Sequence, residues 1–144
     1  MSFSSPYIIK KILEVFKVET PVEYVAILDY EGNIKAQMIK NGSENTSTFQ
    51  LRCVDGARAI RGMYQSCQKF FDETNLIIIS NENNTEFICF SKFVIYVMTK
   101  LTENEESIVQ VRKQIKKLES DLQKLFKSNN ENFEKYDEMH NNRP

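Results

Sequence analysis

Between residues 75 and 99 the chain runs through three short apolar stretches with very little between them. Leu76-Ile77-Ile78-Ile79 is a β-branched run, Glu82-Asn83-Asn84 turns the chain, and residues 85–90 and 93–99 are joined only by Ser91-Lys92. Short runs rich in Ile, Val and Phe and bounded by polar turn residues read as strands. Three strands in direct succession commit this part of the chain to a sheet, and the rest must cover it.

A hairpin precedes them. Over residues 22–30, Val25 and Ile27 point one way while Tyr24, Ala26 and Leu28 point the other, so this strand is apolar on both faces and is expected to be covered on both. Glu31-Gly32-Asn33 is a turn signal. In the return strand, 34–40, Ile34, Ala36 and Met38 alternate with Lys35, Gln37 and Lys40, which predicts one wet face.

Helical spacing governs the other segments. Ile8, Ile9, Ile12, Leu13 and Phe16 recur at three- and four-residue intervals over 6–17, after Pro6 and the potential caps Ser4 and Ser5. Thr20-Pro21 ends that helix, because a residue before proline avoids the helical region. Over 49–71 the stripe Phe49, Cys53, Ala57, Ile60, Tyr64, Cys67, Phe71 predicts a helix packed on the sheet, with Ser47 or Thr48 as its cap. A second stripe holds Leu51, Val54, Arg58, Arg61 and Gln65. Gly56 and Gly62 each cost about 1 kcal/mol in a helix interior, which suggests close approach of another helix there. A final helix, about 103–127, carries Ile108, Val111, Ile115, Leu118, Leu122 and Leu125. That is fewer heptads than a coiled coil usually sustains, so it reads as a helix lying along a sheet. Residues 128–144, SNNENFEKYDEMHNNRP, have few apolar anchors and read as a polar, disordered tail after a domain spanning 1–127.

Bulk properties narrow the function classes. A chain of 144 residues has the size of one domain and can bury a full core without disulfide or metal staples. Its net charge of −1 lacks the basic excess of a nucleic-acid binder, so no nucleic-acid partner is expected. Cys53, Cys67 and Cys89 form no CxxC pair and sit in apolar patterns, as reduced core thiols of a cytoplasmic protein do. Neither a signal peptide nor a spanning apolar run is visible, and no direct membrane insertion is expected. Three sequons, beginning at Asn41, Asn45 and Asn83, then mean only polar loops.

Catalytic patterns are missing. There is no Walker loop, GxGxxG or GxSxG, and the single histidine, His140, lies in the tail. Hydrolysis by paired carboxylates is formally open to Asp29 and Glu31, but acids flanking a hairpin turn are ordinary turn chemistry. The chain reads as a non-enzyme without catalytic residues, cofactor or metal. Arg58 and Arg61 have two readings: solvated cations, with Asp55 as a nearby partner, or part of an interface, where arginine is enriched. The basic group Arg112, Lys113, Lys116, Lys117 reads as the solvated face of a helix, and membrane attachment through it would be weak without a lipid anchor.

The order α-β-β-α-β-β-β-α, carried by YIIKKILEVF, VEYVAILDYEGNIKAQMI and LIIIS-NENN-TEFICF-SK-FVIYVMT, resembles the roadblock (dynein light chain roadblock) family over residues 7–126. Asp29, Glu31 and Gly32 match the family's acidic, glycine-bearing hairpin turn. The resemblance implies an α/β (α+β) fold: a five-stranded antiparallel sheet with helices on both faces. It also implies a non-catalytic platform that pairs with itself or with another roadblock-like chain. Such a platform scaffolds or regulates a Ras-like small GTPase. On that basis Leu76, Ile78 and Ser80 would lie at a strand-to-strand seam. Leu51 and Val54, with Arg58 and Arg61, would face a partner. A longin-like or profilin-like trafficking or cytoskeletal module is the alternative, although a longin domain begins with a strand and this chain with a helix.

Overall fold

The computed structural model describes residues 5–16, 21–40, 46–66, 75–100 and 104–128. Its elements are α1 (Ser5–Val15), β1 (Val22–Leu28), β2 (Ile34–Ile39), α2 (Thr46–Ser66), β3 (Leu76–Ser80), β4 (Asn84–Phe90), β5 (Val94–Lys100) and α3 (Glu105–Ser128). The strands form one antiparallel sheet in the order β2-β1-β5-β4-β3. The last strand of the run therefore lies at the centre, beside the first strand of the chain, and β3 lies at an edge.

Two helical layers bury the two faces. On one, α1 and α3 press Ile8, Ile12, Val111, Ile115, Leu118 and Leu122 onto Val25, Ile27, Phe87 and Ile95. On the other, α2 presses Phe49, Cys53, Ala57 and Ile60 onto Tyr24, Ala26, Ile88 and Tyr96. The opposed parities of β1 thus reach opposite cores, as its double apolar pattern requires. The apolar stripe of α3 lies on the chain's own sheet, which accounts for its heptad-like spacing without a coiled-coil partner.

Several details differ from the sequence expectation. Ile34 packs with the α2-side core, not with Ala36 and Met38. The cause is a bulge: Ile27 pairs with Ala36 but Leu28 with Ile34, so Lys35 is an extra residue and the faces exchange. Nor is either face of β2 simply wet, since Ala36 is buried under α1 and Ile39 packs on the α2 side. Leu13 is exposed, because α1 turns only Ile8 and Ile12 fully inward, followed by Phe16 just past its end. The α2 helix starts at Thr46, which puts Ser47 and Thr48 in its first turn and not at its cap. Gly56 faces the sheet and not another helix, as an added Cβ would lie 3.2 Å from Ile88 Cδ1, while Gly62 faces open space. Cys67, Phe71 and the 129–144 tail lie outside the described residues. Among those residues no helix is long and apolar enough to cross a membrane.

Candidate interaction surface

β3 contributes a sheet edge that nothing among the described residues pairs with on its outer side. Its inner side is in register with β4, Leu76 opposite Cys89 and Ile78 opposite Phe87. Leu76 and Ile77 pack against the two cores, but Ile78 and Ile79 are 38% and 42% exposed and Ser80 is exposed. An open strand edge bearing bare isoleucines, with neither proline nor lysine to guard it, is a template for pairing. The start of the strand is anchored. Lys116 Nζ donates to Asn75 Oδ1 at 2.7 Å, and Phe90 N–H donates to the Asn75 carbonyl at 2.9 Å. At its far end Asn81 Oδ1 accepts the N–H groups of Asn83 and Asn84 at 2.9 and 2.8 Å, closing the turn into β4.

The outward stripe of α2 divides in two. Leu51 is 66% exposed, and Arg61 is exposed. Val54 and Arg58 instead lean on the β1–β2 turn. Gly32 has φ +91°, and a Cβ there would lie 3.0 Å from Val54 Cγ1 and 3.2 Å from Arg58 Nε. Arg58 Nε donates to the Glu31 carbonyl at 3.4 Å, so the guanidinium is directed to the turn and not to Asp55. Asp29 holds that turn together: it accepts from the N–H groups of Glu31 and Asn33 and from Asn33 Nδ2, each at 2.9 Å, and pairs with Lys35 at 3.5 Å. Its carboxylate is thus a turn element, engaged on both oxygens.

Between α2 and the β3–β4 pair lies a group that sequence reading missed. Glu86 is only 2% exposed, on the α2 side of β4. Arg52 grips it from above, with Nε 2.9 Å from Oε1 and Nη2 on Oε2, while the Tyr96 hydroxyl donates to Oε1 from below. Two-point charge-assisted bonding offsets the cost of burying the carboxylate. The hydrogen bonds and charge of Glu86 raise the Arg52 guanidinium further above its ordinary value, and burial followed by Glu86 pushes the Tyr96 hydroxyl up. The available signal was a glutamate at an apolar-parity position of a strand flanked by Thr85 and Phe87. Arg52 also walls an open cleft of about 410 Å³ with Thr48, Phe49, Asn81, Asn84 and Met98.

The thiols behave as core groups. Cys53 and Cys89 are buried and free, and burial raises both above the usual thiol range. Cys89 additionally donates to Glu119 Oε2 at 3.1 Å. Among the described residues no three His, Cys, Asp or Glu side chains are grouped to hold a metal.

Comparison with known proteins places this geometry. No protein-family model matches the chain. It is 30% identical over 102 residues to a tRNA-dihydrouridine(20a/20b) synthase-like protein of Mus musculus, a match covering 62% of this chain and 32% of that protein. The chain therefore spans about a third of that relative's length. Solved structures match over most of the chain. The gliding protein MglB of Thermus thermophilus aligns with a TM-score of 0.63 at 10% identity, covering 82% of this chain and 90% of that one. Myxococcus xanthus MglB aligns with 0.63 at 17% identity, covering 89% and 99%. A Roadblock/LC7 domain from Streptomyces avermitilis aligns with 0.60 at 9% identity, covering 81% and 95%. At such identities the likeness is one of fold, and the fold of this chain is that of a roadblock-like domain.

Proposed function

We propose that this chain is a non-catalytic protein-binding module that pairs through β3 and α2 and scaffolds or regulates a Ras-like small GTPase. The observation that carries the reading is the open edge of β3, with Ile78 and Ile79 bare on its two faces, together with the exposed Leu51 on α2. Adding a strand to that edge satisfies a row of backbone donors and acceptors and removes two isoleucines from water. Leu76, Ile78 and Ser80 would form the seam, and Leu51 and Val54 the helical part of the contact. Arg61, which is free of the β1–β2 turn, is better placed than Arg58 to meet a partner. One similar structure is described as MglB with a tetrameric arrangement, which supports assembly as a property of this fold. The GTPase part of the proposal rests on the roadblock resemblance. The likeness to the mouse synthase-like protein covers too little of that protein to bring its activity here.

Light scattering on the purified chain, alone and then with Ras-like GTPases loaded with GDP or a GTP analogue, tests both parts. A dimer that captures one nucleotide state supports the reading. A monomer at tens of micromolar that ignores both states overturns it and favours a longin-like or profilin-like module.

A further inference from the structure

The α1–α3 layer, on the face of the sheet opposite α2, has an outer surface that the proposed pairing does not use. Between residues 112 and 125 α3 carries five cations and two carboxylates. Their placement separates the signs. Glu119 and Asp121 are drawn inward, both at 13% exposure, where they meet Lys116 and Lys117 at 3.8 and 3.1 Å. Arg112, Lys113, Lys116, Lys117 and Lys124 all stand in solvent. On the neighbouring α1, held to α3 by Gln114 Nε2 donating to the Val15 carbonyl at 3.3 Å, Lys10 is exposed with Tyr7 and Leu13 at 62% and 51%. Val109 adds a further bare apolar group on α3.

We infer that this surface docks peripherally on anionic phospholipid headgroups, with Arg112, Lys113, Lys117 and Lys124 as the electrostatic contacts and Tyr7 and Leu13 as shallow anchors. Complementary charge is the first argument, since a line of exposed cations that outnumbers its two inward-drawn carboxylates suits a diffuse negative surface better than a single fixed anion. Shape is the second. A helix of 24 residues presents a straight line of about 36 Å, which a planar surface can meet along its length. The third is the company the cations keep. A bare tyrosine and leucine gain nothing beside a solvated acidic peptide, whereas at a bilayer they enter the headgroup region. The apolar stripe of α3 is already spent on its own sheet, so the helix cannot roll into the membrane and the attachment is salt-sensitive. Because the surface lies opposite α2, this inference stands or falls separately from the GTPase reading.

Co-sedimentation of the full chain with phosphatidylcholine vesicles, with and without about a third phosphatidylserine, tests it at about 0.05 M and about 0.5 M salt. The expected result is partition onto the serine-containing vesicles only, largely lost at the higher salt. Replacing Arg112, Lys113 and Lys124 together by Glu should lower that partition at least about tenfold, with Lys92→Glu, an exposed position in the turn between β4 and β5, as an unaffected control. Tyr7→Ser with Leu13→Ser should weaken binding without changing its salt dependence. A melting curve checks that the charge variants fold, and the Lys113→Glu, Lys124→Glu pair replaces the triple variant if it does not. Equal binding to both vesicle types, wild-type binding by the charge variants, or capture by polyglutamate but not by vesicles would each overturn the inference.

Discussion

Arg52 on α2 and Glu86 on β4 are joined at two points across the helix–sheet contact, Nε to Oε1 at 2.9 Å and Nη2 to Oε2. The pair is asymmetric: the Arg52 side chain is 49% exposed and that of Glu86 is 2% exposed. Removing the outer partner therefore strands the inner charge, with only the Tyr96 hydroxyl left to it. Breaking a fully buried pair in this way costs about 3–5 kcal/mol, and water access at Arg52 lowers the expected cost of Arg52→Ala to about 2 kcal/mol. Glu86→Gln, whose amide oxygen still accepts from Arg52 Nε and Tyr96 while its NH2 faces the Arg52 Nη2 donor, should cost about 1 kcal/mol. Urea unfolding of the two variants checks the order, and an Arg52→Ala protein as stable as wild type would show the pair to be idle.

The two glycines Gly32 and Gly62 should respond to alanine with opposite signs. At Gly32 the positive φ and the 3.0 Å approach to Val54 Cγ1 both oppose a side chain. A loss of about 1–3 kcal/mol is expected. Gly62 faces open space within α2, so alanine there should add up to about 1 kcal/mol of helix stability. Thermal melts of the two variants would move in opposite directions, and a shared direction would contradict the placement of the β1–β2 turn under α2.

Ile78 and Ile79 are substantially exposed already, so a charge at either should cost the single chain less than about 1 kcal/mol. Ile78→Lys places a guard on the β3 edge and should convert the proposed dimer to monomer at unchanged secondary structure. Sedimentation velocity reads this directly. Retention of the wild-type assembly state would move the seam away from β3.

Alkaline conditions should weaken the fold before they charge its interior. Burial raises the Cys53 and Cys89 thiols and the Tyr24 and Tyr96 hydroxyls above their ordinary values. In the unfolded chain thiols release protons near pH 8.5 and tyrosines near pH 10. Above those values the unfolded state binds fewer protons than the native one, so the stability contributed by these groups is complete below pH 8.5 and falls as pH rises. Urea midpoints between pH 8 and 11 should decline in two stages. Tyr96→Phe, which removes one ionisable hydroxyl, should flatten the second stage, and an unaltered slope would exclude Tyr96 from it.

Most of the element order was legible because each segment carries a strong local period. The double apolar parity of β1 and the three- and four-residue spacing of Ile8–Ile12 and Val111–Leu122 follow from burial on both sides of a sheet and along one side of a helix. The face of Ile34 was not legible, because one extra residue at Lys35 reverses the alternation and only pairing with Leu28 reveals it. Val54 and Arg58 show the same limit. Helical spacing puts them on an outward stripe, but the turn at Gly32, distant in sequence, rises to meet them.

The sequence by itself determined the number, type and order of the elements, since period, turn residues and apolar parity act within a few residues of one another. Tertiary structure alone decided that β5 sits at the sheet's centre and β3 at its edge, and that α3 serves its own core. It alone also brought Arg52 to Glu86. Those outcomes depend on contacts between segments far apart in the chain, where packing and the pairing of buried charge select the arrangement and local pattern carries no record of it.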